Sequence, residues 1–182
     1  MKKDIPTQIL KTAKKLFNEQ GIFQTGVDTL SSKAKVAKMS LYKYFPNKEA
    51  LVLAYLEAET ELFFTHLDEI TANHDHALDK IKAIIANEKT KFLSHNYNGC
   101  PFINASMEDR DINSPVHALT LEAKETLRLR IQSWLENSSY DKSLELSHAI
   151  LLILNGLYTQ AIISNFQDCF HYATFTCETL LK

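Results

Sequence analysis

The most informative part of the chain lies near its N-terminus and reads TGVDTLSSKAKVAKMSLYKYFPNKEAL from Thr25 to Leu51. Apolar residues at helical spacing predict two short helices here, at residues 27–34 and 38–45, with only residues 35–37 between them. Two short helices joined by so short a turn are typical of a helix-turn-helix, in which the second helix lies in the major groove of DNA. This stretch therefore predicts a DNA-binding unit at the start of the chain.

Charge is distributed unevenly along the sequence. Residues 1–50 contain ten lysines, no arginine and four carboxylates, a formal net charge of +6, whereas the whole chain of 182 residues has a net charge of −2. Such asymmetry favours a head that binds a polyanion, attached to an acidic body. A lysine-rich face that is merely solvated remains the alternative from charge alone.

The remaining sequence continues with helical periodicity and shows no alternating pattern of a strand. We expect an all-α chain with a three-helix head, residues 1–47, and a six-helix body, residues 48–182. The sequence has no signal-peptide pattern, and the longest apolar run, residues 149–154, is too short to cross a bilayer. The three cysteines show no paired spacing. These features predict a cytoplasmic protein that does not bind membranes.

Residues 41–51 follow the pattern Leu-Tyr-x-Tyr-Phe-Pro-x-Lys-Glu-x-Leu, and Leu16-Phe17 and Gly21-Ile22-Phe23 precede them. This pattern resembles the TetR family of transcriptional regulators, over roughly residues 3–63. The resemblance implies that Thr25, Tyr42, Tyr44 and Lys48 contact the DNA backbone, and that Lys38, Met39, Ser40 and Lys43 face the groove. The expected DNA-binding set also includes Val27 and Lys35.

Three positions in this region bear on how DNA is bound. Lys35 stands where the family usually has glycine, so a left-handed turn there would cost about 1 kcal/mol; Lys35 either adopts another turn or adds a phosphate contact. Met39 replaces another frequent glycine and places an apolar side chain where a thymine methyl is read. Lys48 opposes the dipole of its helix, an arrangement that a bound phosphate would reverse.

The segment from Leu144 to Ile163 is too apolar for a helix with one solvated side. It is either a central core helix or a dimer interface, and two features favour the interface. The TetR resemblance implies a homodimer, and two heads on a palindromic operator roughly add their binding free energies. We assign Leu151, Leu154, Gly156 and Ile162 to this interface, with close helix approach as the reason for glycine.

The resemblance also implies that the body encloses a pocket for a small hydrophobic effector. The candidates share an aromatic or soft apolar side chain. They are Phe63, Phe64, His66, Phe92, Phe102, Met107, Trp134 and Tyr158. For each of them, plain core packing is the alternative role.

Other functions have weaker support in the sequence. Residues 99–105 resemble a Gly-Cys-x-Phe-x-Asn-Ala element of one subset of these regulators, so Cys100 is either a sensor of oxidants or electrophiles or a structural thiol. We find no catalytic constellation, metal-ligand cluster or cofactor motif. The expected function is a ligand-responsive repressor released from its operator. A binding module that has lost DNA recognition is the rival, because the head has no arginine to read guanine.

Overall fold

The structure is a computed structural model that describes residues 4–94, 97–164 and 168–182. All regular secondary structure in these residues is helical, which confirms the all-α prediction. The described helices are α1 (Ile5–Gln20), α2 (Val27–Lys33), α3 (Lys38–Tyr44), α4 (Lys48–Thr71), α5 (Ala77–Phe92), α6 (Pro101–Glu108), α7 (Pro115–Asn137), α8 (Ser143–Ser164) and α9 (Cys169–Leu180).

Local signals set several of the helix ends. The side chain of Asn47 accepts a hydrogen bond from the backbone N–H of Ala50 at 2.7 Å, so Asn47 caps α4 as its sequence position predicts. Ser114 accepts from the N–H of His117 at 3.2 Å, directly before the proline that opens α7. Gly21 ends α1 with a φ of 87°. Gly26, and not the preceding Thr25, occupies the cap position of α2.

The described chain divides into two compact units. Unit 1 contains residues 1–61 and 100–120, and unit 2 contains residues 62–99 and 121–182. Compactness therefore places α6 and the first turns of α4 and α7 with the head. The functional boundary between residues 47 and 48 stays a prediction, because a boundary of function need not coincide with one of packing.

Unit 1 has its core where α1 meets α2 and α3. The buried faces consist of Ile9, Ala13, Leu16 and Phe17 from α1, with Leu30, Ala34, Leu41 and Phe45 from the helix-turn-helix. The ring of Phe17 packs edge-on against that of Tyr55, with centroids 5.3 Å apart. Val36, in the turn between α2 and α3, is only half-buried.

Unit 2 is built from long helices, with α9 packed against both α5 and α8. Ile81, Ile84, Leu127, Ile131, Leu135, Ile150 and Leu154 are among its buried side chains. The buried guanidinium of Arg128 binds both carboxylate oxygens of Glu125, at 2.8 and 2.5 Å, and donates to the hydroxyl of Ser147 on α8 at 3.0 Å. Because its donors are paired, this arginine joins α7 to α8 without leaving an uncompensated charge.

Helix α8 differs in one respect from its sequence-based interpretation. Residues 143–163 form one helix that is long and apolar enough to cross a membrane, judged by length and composition alone. The expectation that no apolar segment reaches this length is therefore wrong, because the helix continues on both sides of the run at residues 149–154. Only 33% of its most apolar stretch is buried, so most of this stretch lies outside the core of unit 2.

Candidate nucleic-acid interface

The turn between α2 and α3 has the geometry of a Schellman motif. The N–H of Val36 donates to the carbonyl of Ser31 at 3.0 Å, and the N–H of Lys35 donates to that of Ser32 at 3.1 Å. Lys35 occupies the left-handed position of this motif, with a φ of 53°. The expectation that Lys35 adopts another turn is therefore wrong, whereas a phosphate contact stays a prediction because the side chain is exposed.

Helix α3 has one buried side and one exposed side. Leu41 anchors it in the core, while Met39 is 86% exposed and points its thioether into solvent. The side chains of Lys38, Tyr42, Lys43 and Tyr44 are also exposed, and Ser40 is half-buried. An apolar side chain this exposed contributes little to the free energy of folding. Exposed apolar groups of this kind often mark a surface that contacts another molecule.

Lys38 is not a free cation in the absence of DNA. Its ammonium lies 2.7 Å from a carboxylate oxygen of Asp28 on α2, and this hydrogen bond and charge raise the pKa of Lys38 above its ordinary value. Both side chains are largely exposed, so the pair stabilises the fold only weakly. A phosphate or a base edge can therefore compete with Asp28 for this lysine.

The predicted phosphate contact through the side chain of Thr25 is wrong for this conformation. Thr25 is completely buried, and its hydroxyl donates to the carbonyl of Gly21 at 2.7 Å. The same hydroxyl oxygen accepts from the amide of Gln20 at 3.1 Å. The hydroxyl is used to close the turn between α1 and α2, and Val27 beyond it is half-buried.

Lys48 binds to this same turn. Its ammonium donates to the carbonyl of Phe23 at 3.0 Å and lies 5.8 Å from the centre of the Phe23 ring. Burial lowers the pKa of Lys48, and the negative charge of Glu108 opposes that shift. An ammonium has three donors, so two remain for a phosphate after the bond to Phe23.

The carboxylate of Glu108, at the end of α6, binds the other side of the turn. One oxygen accepts the N–H of Ile22 at 3.0 Å, and the other accepts the N–H of Phe23. Sequence patterns do not reveal this contact, because the partners lie more than eighty residues apart in the chain.

The predicted effector-pocket residues are divided between the two units. Phe102 and Met107 belong to unit 1, and the six others belong to unit 2. Met107 is 80% exposed and lines an open groove, so its assignment to an enclosed pocket is not supported by its position.

In unit 2, several of the predicted aromatic rings carry a cation on their faces. Lys80 lies 5.5 Å from the Trp134 ring, and Lys124 lies 5.1 Å from that of Tyr158. Phe64 packs edge-on against Phe63, with centroids 5.1 Å apart. Phe92 packs against Phe170, and His66 lies 3.0 Å from the side-chain oxygen of Asn87. These contacts account for packing, and the pocket stays a prediction.

The predicted dimer residues lie on different sides of α8. Leu154 is completely buried within the protomer, so its assignment to a contact with a partner is wrong; Leu151 is half-buried. Gly156 and Ile162 are exposed. A Cβ atom at Gly156 would meet nothing within 4 Å, so close approach inside the protomer does not explain this glycine.

Other exposed apolar side chains on α8 and α9 were missed by the sequence analysis. Leu152 is 72% exposed and Ile163 is 75% exposed, and both follow the helical spacing of Gly156. Tyr172 and Phe175 are exposed on α9, and Tyr172 also lines a groove between α8 and α9 beside Gly156. Counting in steps of three and four from Gly156 would have found Leu152 and Ile163.

Cys100 is buried at the N-cap position of α6. A thiol that senses oxidants must be reached by them, so burial favours packing over sensing. Among the described residues, no group of three or more histidine, cysteine, aspartate or glutamate side chains is arranged to hold a metal ion.

Comparisons with known proteins agree with this geometry. Residues 9–55 match the model of the tetR family of bacterial regulatory proteins. The HTH-type transcriptional repressor NemR of Escherichia coli is 27% identical over 167 residues, which are 90% of this chain and 83% of that protein. The HTH-type transcriptional regulator YuxN of Bacillus subtilis is 37% identical over 67 residues, which are 37% of this chain and only 23% of that protein.

Solved structures show the same fold. A TetR-family transcriptional regulator from Streptomyces coelicolor has a TM-score of 0.90 and 21% identity, covering 97% of this chain and 94% of the other. Reduced NemR from Escherichia coli has a TM-score of 0.88 and 23% identity, covering 97% and 96%. With the helix-turn-helix of unit 1, these likenesses show that residues 9–55 belong to the tetR family of bacterial regulatory proteins and that the chain has the fold of TetR-family transcriptional regulators.

Proposed function

We propose that this regulator is a cytoplasmic homodimeric repressor that binds a palindromic operator with α3 of each protomer in the major groove. The observation that carries the proposal is the exposed side of α3, where an apolar Met39 stands among cationic and hydroxyl side chains. Base edges are read by short polar and apolar groups, while ammonium and hydroxyl groups hold phosphates. NemR, which resembles the chain over most of its length, is itself named a repressor.

Within this proposal, the residues of α3 have different tasks. Lys38, Met39, Ser40 and Lys43 face the groove, and Tyr42, Tyr44, Lys35 and Lys48 hold the backbone on either side. Lys38 releases the carboxylate of Asp28 and binds DNA instead, because an exposed ion pair costs little free energy to break. Recognition proceeds without arginine, so contacts with thymine methyl groups through Met39 carry much of the specificity.

The dimer follows from the exposed apolar surface of α8 and α9. Two heads separated by about 34–36 Å, one turn of DNA or a multiple of it, match the half-sites of a palindrome. A small hydrophobic effector in the body then favours a spacing that fits the operator poorly, and the repressor is released.

The test is the binding of the full-length protein to DNA fragments from around its own gene, measured by fluorescence anisotropy against random DNA. We expect a site bound at least about a thousandfold more tightly than random sequence. Met39→Ala should cost about 1 kcal/mol of discrimination at one base pair while leaving the midpoint of unfolding unchanged. Equal affinity for all fragments would instead support a module that has lost specific DNA recognition.

The effector is sought by thermal-shift screening of small hydrophobic compounds, because a ligand that binds the folded state raises the melting temperature. A compound that raises the melting temperature should also release the operator. Stabilisation without release would contradict its role as inducer.

A further inference from the structure

The turn between α1 and α2 forms a carboxylate-binding cradle inside the protein. The N–H groups of Ile22 and Phe23 each donate to a different oxygen of Glu108, at 3.0 Å for Ile22. Two parallel bonds to one carboxylate are charge-assisted and fix its orientation as well as its position. The end of α6 is thereby fastened to the base of the helix-turn-helix within unit 1.

Gly21 is required for this cradle for two reasons. Its φ of 87° lies in a region that side-chain-bearing residues rarely adopt. A Cβ atom there would also lie 3.1 and 3.3 Å from the two oxygens of Glu108. The backbone conformation and the space beside it are thus both suited to the approach of this carboxylate.

The same turn is held from its other side by α4. Lys48 donates to the carbonyl of Phe23, so the peptide units of the turn are bound by Glu108 through their N–H groups and by Lys48 through a carbonyl. Inside the turn, the buried hydroxyl of Thr25 donates to Gly21. Two residues after Thr25, α2 begins, so any loosening of the turn displaces the start of the helix-turn-helix.

We propose that Glu108 is a positioning residue for DNA binding, which holds the turn between α1 and α2 in the conformation that presents the helix-turn-helix. The inference rests on the proposed DNA-binding function and adds to it the point at which α6 acts on the head. Glu108 touches no DNA in this role. Its negative charge opposes binding to phosphates, so its removal should raise DNA affinity if charge alone mattered.

The contact itself is tested on the full-length protein by hydrogen exchange of backbone amides, followed by NMR. In the native chain the amides of Ile22 and Phe23 should exchange slowly, and in Glu108→Ala they should exchange at least about tenfold faster. The amide of Gly21, which donates to Phe17 on α1, should stay protected in both proteins. Unchanged exchange at Ile22 and Phe23 would overturn the proposal.

DNA affinity is the second measurement, with Glu57→Ala as the matched control. Glu57 is exposed on α4, so its loss removes the same charge without touching the turn. We expect Glu108→Ala, which removes both charge-assisted bonds, to weaken specific binding by about tenfold or more, and Glu57→Ala to change it less than about twofold. Glu108→Gln keeps the side-chain length and one acceptor, so it should give an intermediate loss and serves if the alanine variant does not fold.

Rescue by a free carboxylate distinguishes this role from general packing. Glu108 lies beside an open groove of about 800 Å³, lined also by Val52 and Met107, through which a small anion can reach the vacated N–H groups. Sodium acetate in place of sodium chloride, at equal ionic strength, should restore part of the affinity of Glu108→Ala and leave Glu57→Ala unchanged.

Absence of rescue together with a lowered melting temperature would assign Glu108 to structure alone and overturn the proposal. If the native protein binds no DNA site more tightly than random sequence, the proposed repressor function is refuted. The exchange rates would still show whether the carboxylate of Glu108 holds the turn.

Discussion

Replacement of Lys35 by glycine should stabilise the protein while weakening its binding to DNA. Lys35 has a φ of 53° and holds the left-handed position of the turn between α2 and α3. For a residue with a side chain, this conformation raises the free energy of the folded state by about 1–2 kcal/mol, whereas glycine adopts it at almost no cost. Glycine also makes the unfolded chain more disordered, at a cost of about 0.4–1 kcal/mol. The net expectation for Lys35→Gly is about 0.5–1 kcal/mol of added stability.

Lys33→Gly is the matched control for this experiment. Lys33 is exposed in the last turn of α2, so the change removes the same charge and introduces the same residue at a helical position. There, glycine should destabilise the protein by about 0.5–1 kcal/mol. Both variants are compared by urea denaturation at equal protein concentration, with an unchanged slope as evidence that the unfolded states are alike.

The two roles of Lys35 are separated by measuring DNA affinity on the same samples. If its ammonium binds a phosphate, Lys35→Gly should reduce the slope of log affinity against log salt by about 0.9. A loss of stability as large as that of Lys33→Gly would refute the argument from backbone strain. An unchanged salt slope would remove Lys35 from the phosphate contacts without affecting the stability result.

Three further outcomes follow from the structure. Lys48→Ala should lower affinity for every DNA sequence and flatten the salt slope by about 0.9, whereas Lys11→Ala, at an exposed site on α1, should leave specific binding nearly unchanged. If the proposed dimer forms through α8 and α9, Leu152→Glu should convert it to monomers in light scattering, because the change places a charge on an exposed apolar surface. Leu121→Glu, at an exposed site on α7, should leave the oligomeric state unchanged, and a dimeric Leu152→Glu would exclude this surface. Burial raises the pKa of the Cys177 thiol to about 11, so it should resist a thiol reagent at pH 8 in the folded protein and react after unfolding; rapid labelling of the native protein would show that α9 opens.

The same labelling experiment bears on the alternative function of Cys100. Its burial predicts slow reaction, as for Cys177. If Cys100 is modified rapidly in the native protein and DNA is then released, redox sensing becomes the better account of regulation. If it stays unmodified, its role is packing at the start of α6.

Features of the head that depend on neighbouring residues could be predicted from sequence. Leu41 and Phe45 are spaced so that a helix places both on its inner side, and Asn47 caps the next helix through a residue three positions away. Such interactions span a few residues and differ little between folds.

Features that depend on how segments pack in the folded chain could not be predicted in this way. Thr25 is a short polar residue before a helix, which favours exposure and capping, yet the turn carries its hydroxyl inward to Gly21. Leu154 is buried and Leu152 is exposed on the same helix. Apolar residues lie on nearly every side of this helix, so their spacing does not show which side faces the core.

The sequence by itself determined the helices, the short turn of the helix-turn-helix, the basic head and its likeness to the TetR family, because hydrogen bonds of helices, capping and the spacing of apolar residues are local properties. Only the tertiary structure decided that Lys35 adopts a left-handed conformation, that Thr25 is buried and that Glu108 holds the turn between α1 and α2. Glu108 reaches Ile22 and Phe23 only because the fold brings together groups more than eighty residues apart. The bonds of Lys35 and Thr25 are local, but which turn closes and which side chain becomes buried depends on how the helices pack around them. The family usually has glycine at this position, and this chain instead places a lysine there in the left-handed conformation, with its side chain exposed to solvent.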